Sequence, residues 1–102
     1  MELEKKVLLS SLFDIYGKLL TEKQQTIFKS YMLDDYSLKE ISLEFEVSRS
    51  AVFDMMVTIE KNLIHYESIL KVHEKNQQRK ALYDSLHSID PDTMAQLRKL
   101  EE

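Results

Sequence analysis

Arg49, Ser50, Phe53, Asp54, Thr58 and Lys61 recur at steps that place them on one side of a helix. Their chemistry is that of contact and not of bond breaking. Arg49 can hold a phosphate or pair with a guanine edge, and Ser50 and Thr58 can donate to phosphate. Phe53 can touch a thymine methyl. Asp54 repels backbone phosphate unless it accepts from a cytosine amine or pairs with Arg49 or Lys61. Ser37 and Lys39, upstream, are candidates for further contacts. Residues that catalysis needs are missing or misplaced. His65, His73 and His87 include no i, i+4 pair, and no carboxylate stands on the same face between the first two, so no metal site is expected. Asp34 and Asp35 adjoin in a turn and make a poor acid/base pair. The absence of cysteine excludes thiolate chemistry and disulfides, and the single Gly17 excludes a glycine-rich phosphate cradle. The chain is therefore expected to be no enzyme, with no cofactor, no metal and no small-molecule substrate.

The elements that must position these side chains are helical. One glycine and one proline in 102 residues leave too few turn residues to punctuate many short strands. Leu9, Leu12, Phe13, Tyr16, Leu19 and Leu20 fall three and four apart, one stripe of a first helix. Thr21 opens a capping box with Gln24, and Ile27, Phe28, Tyr31 and Met32 continue the apolar face. "LDDY" ends that helix. Ser37 and Glu40 form a second box, with Leu38, Ile41 and Phe45 inward, and Ser48 caps the next helix.

Val52, Met56, Ile59, Leu63, Tyr66, Leu70 and His73 alternate steps of four and three, a heptad stripe on a helix expected to run from 49 to 76. At about 1.5 Å per residue that is roughly 40 Å, more than a small core covers. Part of the stripe should pack on the C-terminal segment or on a second chain. In that segment Leu82 and Leu86 are expected as anchors. Asp90 and Pro91 mark a last helix start, with Ile89 and Met94 as a staple and Leu97 and Leu100 completing the helix. The expected division is a domain over 1–66, with its motif at about 37–63, and a helical extension over 67–102.

Two serine caps eleven residues apart, with Ile41 and Phe45 set to meet Val47, Val52 and Met55 or Met56, describe a helix-turn-helix. Residues 20–63 resemble the helix-turn-helix of sigma-factor region 4: an "LT..Q" opening, an "S..EI" support helix and a "VSR..V" recognition start. More narrowly, the chain resembles the YlxM family of small bacterial proteins. The shared marks are "Y.KLLT.KQ" (16–24), "L.DYSL.EI" (33–41), "VSR.AV.D" (47–54), "YE..L" (66–70) and "QR...YD" (78–84). The resemblance implies an all-α, sigma region 4-like bundle with a long helix, a C-terminal helical extension and a homodimer. The family's genes commonly lie beside those of the signal recognition particle GTPase and its receptor, which implies a regulatory part in that pathway. Three departures from the pattern matter: "FEV" in the turn, where glycine or asparagine is common; Val57 and Thr58, where basic residues are common; and Ser50, where glutamine is common.

Charge argues against a strong grip on DNA. Formal net charge is −4, and residues 36–54 hold two bases against four acids. Affinity for a duplex rests largely on phosphates neutralised, and about two cations per subunit can face DNA. Non-specific binding weaker than the usual ~10⁻⁴–10⁻⁶ M is expected. The alternative is a protein or ribonucleoprotein adaptor. Its surface would be Phe53 and Val57, flanked by Asp54 and Glu60, with a basic stripe of Lys71, Lys75, Arg79 and Lys80. No signal peptide or membrane span is legible, and a cytoplasmic location is expected.

Overall fold

Thr21, Ser37 and Ser48 start three of the helices in the way their side chains require. The computed structural model describes residues 2–86 and 91–101. Helix α1 (Leu3–Tyr16) runs into a 3-10 turn at Gly17–Leu19, and α2 (Glu22–Phe28) continues through a π-helical turn at Lys29–Leu33. Then follow α3 (Leu38–Phe45), α4 (Arg49–Leu70), α5 (Val72–Ser85) and α6 (Pro91–Glu101). No strand occurs among the described residues.

Both capping boxes form. Thr21 Oγ1 accepts from the Gln24 amide at 3.1 Å while Gln24 Oε1 accepts from the Thr21 amide at 3.0 Å. Ser37 and Glu40 repeat the exchange at 3.0 and 3.4 Å, and Ser48 Oγ accepts from the Ala51 amide at 3.0 Å. Each cap satisfies amides that the helix start leaves without a carbonyl, a gain of about 1 kcal/mol.

Helix α4 is the hub, packing on α1, α2 and α3. Its Val52, Met56, Ile59 and Leu63 are buried with Leu9, Leu12, Phe13, Tyr16, Leu20, Ile27, Phe28, Met32 and Ile41. Phe45, Val47 and Met55 are partly buried against the same core, which seats α3 on α4 as a helix-turn-helix requires. The Phe13 and Phe28 rings stack with centroids 4.3 Å apart. Gly17 fits beside them because an added Cβ would stand 3.2 Å from the Phe13 ring. Leu19, placed on the first apolar stripe by its spacing, is instead exposed: the 3-10 turn rotates it away from the face that α1 buries. The far end of α4 is tied down by Tyr16, whose hydroxyl donates to Glu67 Oε1 at 2.6 Å, with the Tyr16 and Tyr66 rings 6.1 Å apart.

The turn between α3 and α4 takes the left-handed form. Glu46 has φ 56 and ψ 43, and the amides of Glu46 and Val47 both donate to the Ser42 carbonyl. This closes the helix end at the cost of Cβ strain that glycine would not carry.

The helix expected over 49–76 does not run unbroken. It ends at Leu70, because Lys71 adopts φ 53 and ψ 30, and no glycine, proline or asparagine marks the place. The heptad stripe is therefore divided. Its first four members are buried within this chain, Tyr66 is half-buried, Leu70 is 49% exposed, and His73 lies on α5. The chain falls into two compact units, Met1–Lys71 and Val72–Glu102, a turn beyond the expected division after 66, since Tyr66 and Glu67 are held by Tyr16.

In the second unit α5 buries no residue. Leu82 and Leu86, expected as anchors, are 64% and 38% exposed, and Leu97 and Leu100 are exposed as well. Two short helices are too few to enclose a core. Pro91 begins α6 as expected. His87 and the Ile89 and Asp90 of the expected staple and cap lie outside the described residues, as does the side chain of Met94.

Glu46→Gly should raise stability by about 0.5–1 kcal/mol, the strain relieved less the added freedom of the unfolded chain. A urea midpoint that does not rise would show the left-handed turn to be unstrained. Tyr16→Phe should cost about 1.5 kcal/mol by removing the hydrogen bond to Glu67, read from the same unfolding curves.

Candidate functional site

The caps and the α4 stripe together decide which side chains face outward. With Val52 and Met56 buried, Arg49, Ser50, Phe53, Asp54, Thr58 and Lys61 are exposed, and Val57 is half-buried at the edge of the packed face. Arg49, Ser50, Phe53 and Asp54 of α4, with Leu38 of α3, line one open depression of about 600 Å³. The structure thus brings together four of the predicted contact residues at the start of the recognition helix. Thr58 and Lys61 lie one and two turns further along α4.

Their hydrogen-bonding capacity is uneven. The Thr58 hydroxyl donates to the Asp54 carbonyl at 3.0 Å, which leaves it an acceptor more than a phosphate donor. Ser37 Oγ is engaged as the α3 cap, so its first duty is to the backbone. Lys39 is exposed on α3, and its carbonyl accepts from the Ser42 hydroxyl at 2.7 Å. Among the described residues, no ion pair joins Arg49, Asp54 or Lys61 to a partner. The Arg49–Asp54 and Lys61–Asp54 bridges weighed from sequence do not form.

A second, more enclosed groove of about 470 Å³ adjoins the first and shares Leu38 and Phe53 with it. Its apolar lining is Tyr31, Leu38, Phe53, Met56 and Val57. Glu2, Lys5 and Glu60 supply its charge, and Lys5 Nζ meets Glu60 Oε1 at 2.6 Å. Phe53, 57% exposed, stands where the two depressions meet. Sequence spacing pointed to Phe53 and Val57 but missed Glu2, just before α1, Lys5 within it, and the contribution of Tyr31. Those reach the groove only through the packing of distant segments.

The basic stripe over 71–80 is not one helical face. Lys71 sits at the left-handed break, whereas Lys75, Arg79 and Lys80 are on α5. The Arg79 guanidinium donates to Asn76 Oδ1 at 2.8 Å. Within the second unit Arg79 and Lys80 line a shallow depression with Tyr83, Asp84 and Arg98, the last from α6 and not foreseen from spacing. No cluster of His, Asp and Glu able to hold a metal occurs among the described residues, and none of the described helices is long and apolar enough to cross a membrane.

Comparison with known proteins matches residues 3–102 to the family model described as "Putative helix-turn-helix protein, YlxM / p13 like". The chain is 44% identical to a UPF0122 protein of Exiguobacterium sibiricum across 99% of this chain and 100% of that one. It is 42% identical to a UPF0122 protein of Listeria innocua across 96% and 98% of the two. It is 44% identical to the UPF0122 protein YlxM of Bacillus subtilis across 87% of this chain and 81% of the relative.

Because Arg49 is exposed and makes no contact that holds the fold, Arg49→Ala should leave stability within about 0.5 kcal/mol of the parent. Val52→Ala, three residues on but fully buried, should cost about 2 kcal/mol or more. Thermal unfolding of the two variants tests the assignment of faces, and equal effects would reverse it.

Proposed function

The chain belongs to the YlxM / p13-like helix-turn-helix family, and from that premise we propose a non-catalytic regulatory protein that works through the exposed face of α4. The signal recognition particle pathway is the proposed setting, on the support of the gene neighbourhood that the family resemblance implies. Duplex DNA is the first partner to consider. The observation that carries this reading is the Ser48-capped start of α4, which presents Arg49, Ser50, Phe53 and Asp54 on one depression while Val52 is buried. Lys61 and Thr58 extend that face, and Ser37 and Lys39 flank it from the support helix.

A second reading, an adaptor that contacts protein or ribonucleoprotein without reading DNA, is favoured by the groove beside Phe53. A large aromatic ring exposed next to a concave apolar lining is characteristic of protein contacts. A homodimer fits both readings. Leu82, Leu86, Leu97 and Leu100 remain exposed in the C-terminal unit, and two subunits on a palindrome would present two α4 faces about one helical turn apart.

A DNA reader should shift duplex DNA in a salt-dependent manner, with the shift lost in Arg49→Ala. An adaptor should retain no duplex at low salt and should co-purify with particle components in a nuclease-treated lysate, a contact weakened by Phe53→Ala. If neither substitution changes retention, the α4 face is not the working surface. Light scattering at micromolar concentration should report a dimer mass, and a monomer mass would leave the exposed leucines to another partner.

A further inference from the structure

The helix-turn-helix motif, residues 37–63, holds five acidic and three basic side chains, a balance of −2. The motif thus carries half of the chain's formal charge of −4. A surface of that sign repels a phosphate backbone and draws cationic partners. Asp54 lies with Arg49 in the depression at the start of α4, while Glu2, Glu60 and Lys5 line the adjoining apolar groove, so that the two linings together carry three acids and two bases. Lys5 offsets Glu60 at 2.6 Å, but among the described residues Asp54 and Glu2 have no cation paired to them.

The apolar part of the groove has the matching character. Leu38, Phe53, Met56 and Val57 come from two helices that meet at the turn, so the lining is held by the α3–α4 packing and needs no rearrangement to receive a ligand. Side chains spaced i and i+4 on a partner helix lie about 6 Å apart, suited to straddle the single Phe53 ring. We propose that this groove docks a cationic amphipathic helix of another protein. Its apolar residues pack on Leu38, Phe53 and Val57, and its lysines or arginines face Asp54 and Glu2. The proposal rests on the adaptor reading above and names the chemistry of the partner. It also accounts for the sparse positive charge of a segment shaped to lie on DNA.

The test uses the full chain and three labelled probes followed by fluorescence anisotropy. They are a synthetic amphipathic peptide of leucine and lysine at helical period, the same peptide with glutamate for lysine, and a random-sequence duplex. The leucine–lysine peptide should bind about tenfold or more tighter than its glutamate counterpart, a preference that shrinks as salt rises. Phe53→Ala should weaken it about tenfold, and Leu43→Ala, an exposed α3 leucine that lines neither depression, should leave it unchanged. Asp54→Asn should weaken the cationic peptide while strengthening any duplex binding, so that the two partners respond with opposite sign. Circular dichroism confirms that each variant keeps its helices. Equal affinity for the two peptides, no loss with Phe53→Ala, or an equal loss with Leu43→Ala would each overturn the proposal. Duplex binding lost in Arg49→Ala with no peptide binding would remove the docking site and leave the DNA contact standing.

Discussion

Burial of the Val52, Met56, Ile59 and Leu63 stripe is the constraint on which everything else in the first unit depends. Each of these side chains gains about 1.5–3 kcal/mol on leaving water, and all four find that shelter against α1, α2 and α3. Once the stripe is turned inward, rotation of α4 is no longer free. Ser50 and Asp54 must then face outward, opposite the stripe, with Phe53 at its flank, while Arg49 is exposed at the first turn of the helix. The contact surface is in this sense a by-product of the core. Its exposure needs no separate stabilising interaction.

The shape and the charge of that surface lead in different directions. Its shape is that of the helix-turn-helix family to which the chain belongs, with a capped support helix, a left-handed turn and a capped recognition helix. The face itself is neutral in sum, within a motif (37–63) that is negative, and the large apolar side chain exposed on it is aromatic. Positioning on DNA is chiefly the work of cations on phosphate, so a fold can keep the geometry of a DNA reader while losing most of the attraction. Such a face retains what protein contact uses: a rigid helix, an apolar ring and a concave lining beside it.

Much of the architecture was legible because its signals are local. The Thr21–Gln24 and Ser37–Glu40 boxes form as their spacing requires, and Ser48 caps α4 at the expected residue. Glu46 stands in the turn where glycine or asparagine is common, and the backbone there is left-handed. The break at Lys71 was not legible, since nothing in "SILKVH" differs from ordinary helical sequence. With it went the expectation of one long heptad seam and one continuous basic stripe. Leu82 and Leu86 were misjudged for a related reason. Helical periodicity shows that a stripe exists but not whether enough neighbouring structure is present to cover it.

The groove beside Phe53 shows the same boundary between what is local and what is not. Phe53 and Val57 share a helical face by periodicity alone, so their nearness was determined by sequence. Glu2, Lys5 and Tyr31 join them only because α1 and the end of α2 pack across α4, and such contacts between distant segments have no signature in residue spacing. Sequence by itself therefore decided the helices, their caps, the family and which side of α4 is dry. Tertiary structure alone decided where α4 ends, which leucines stay wet and what walls surround the exposed ring. Hydrogen bonding and helical period act over a few residues, whereas concavity and enclosure require elements far apart in the chain to meet.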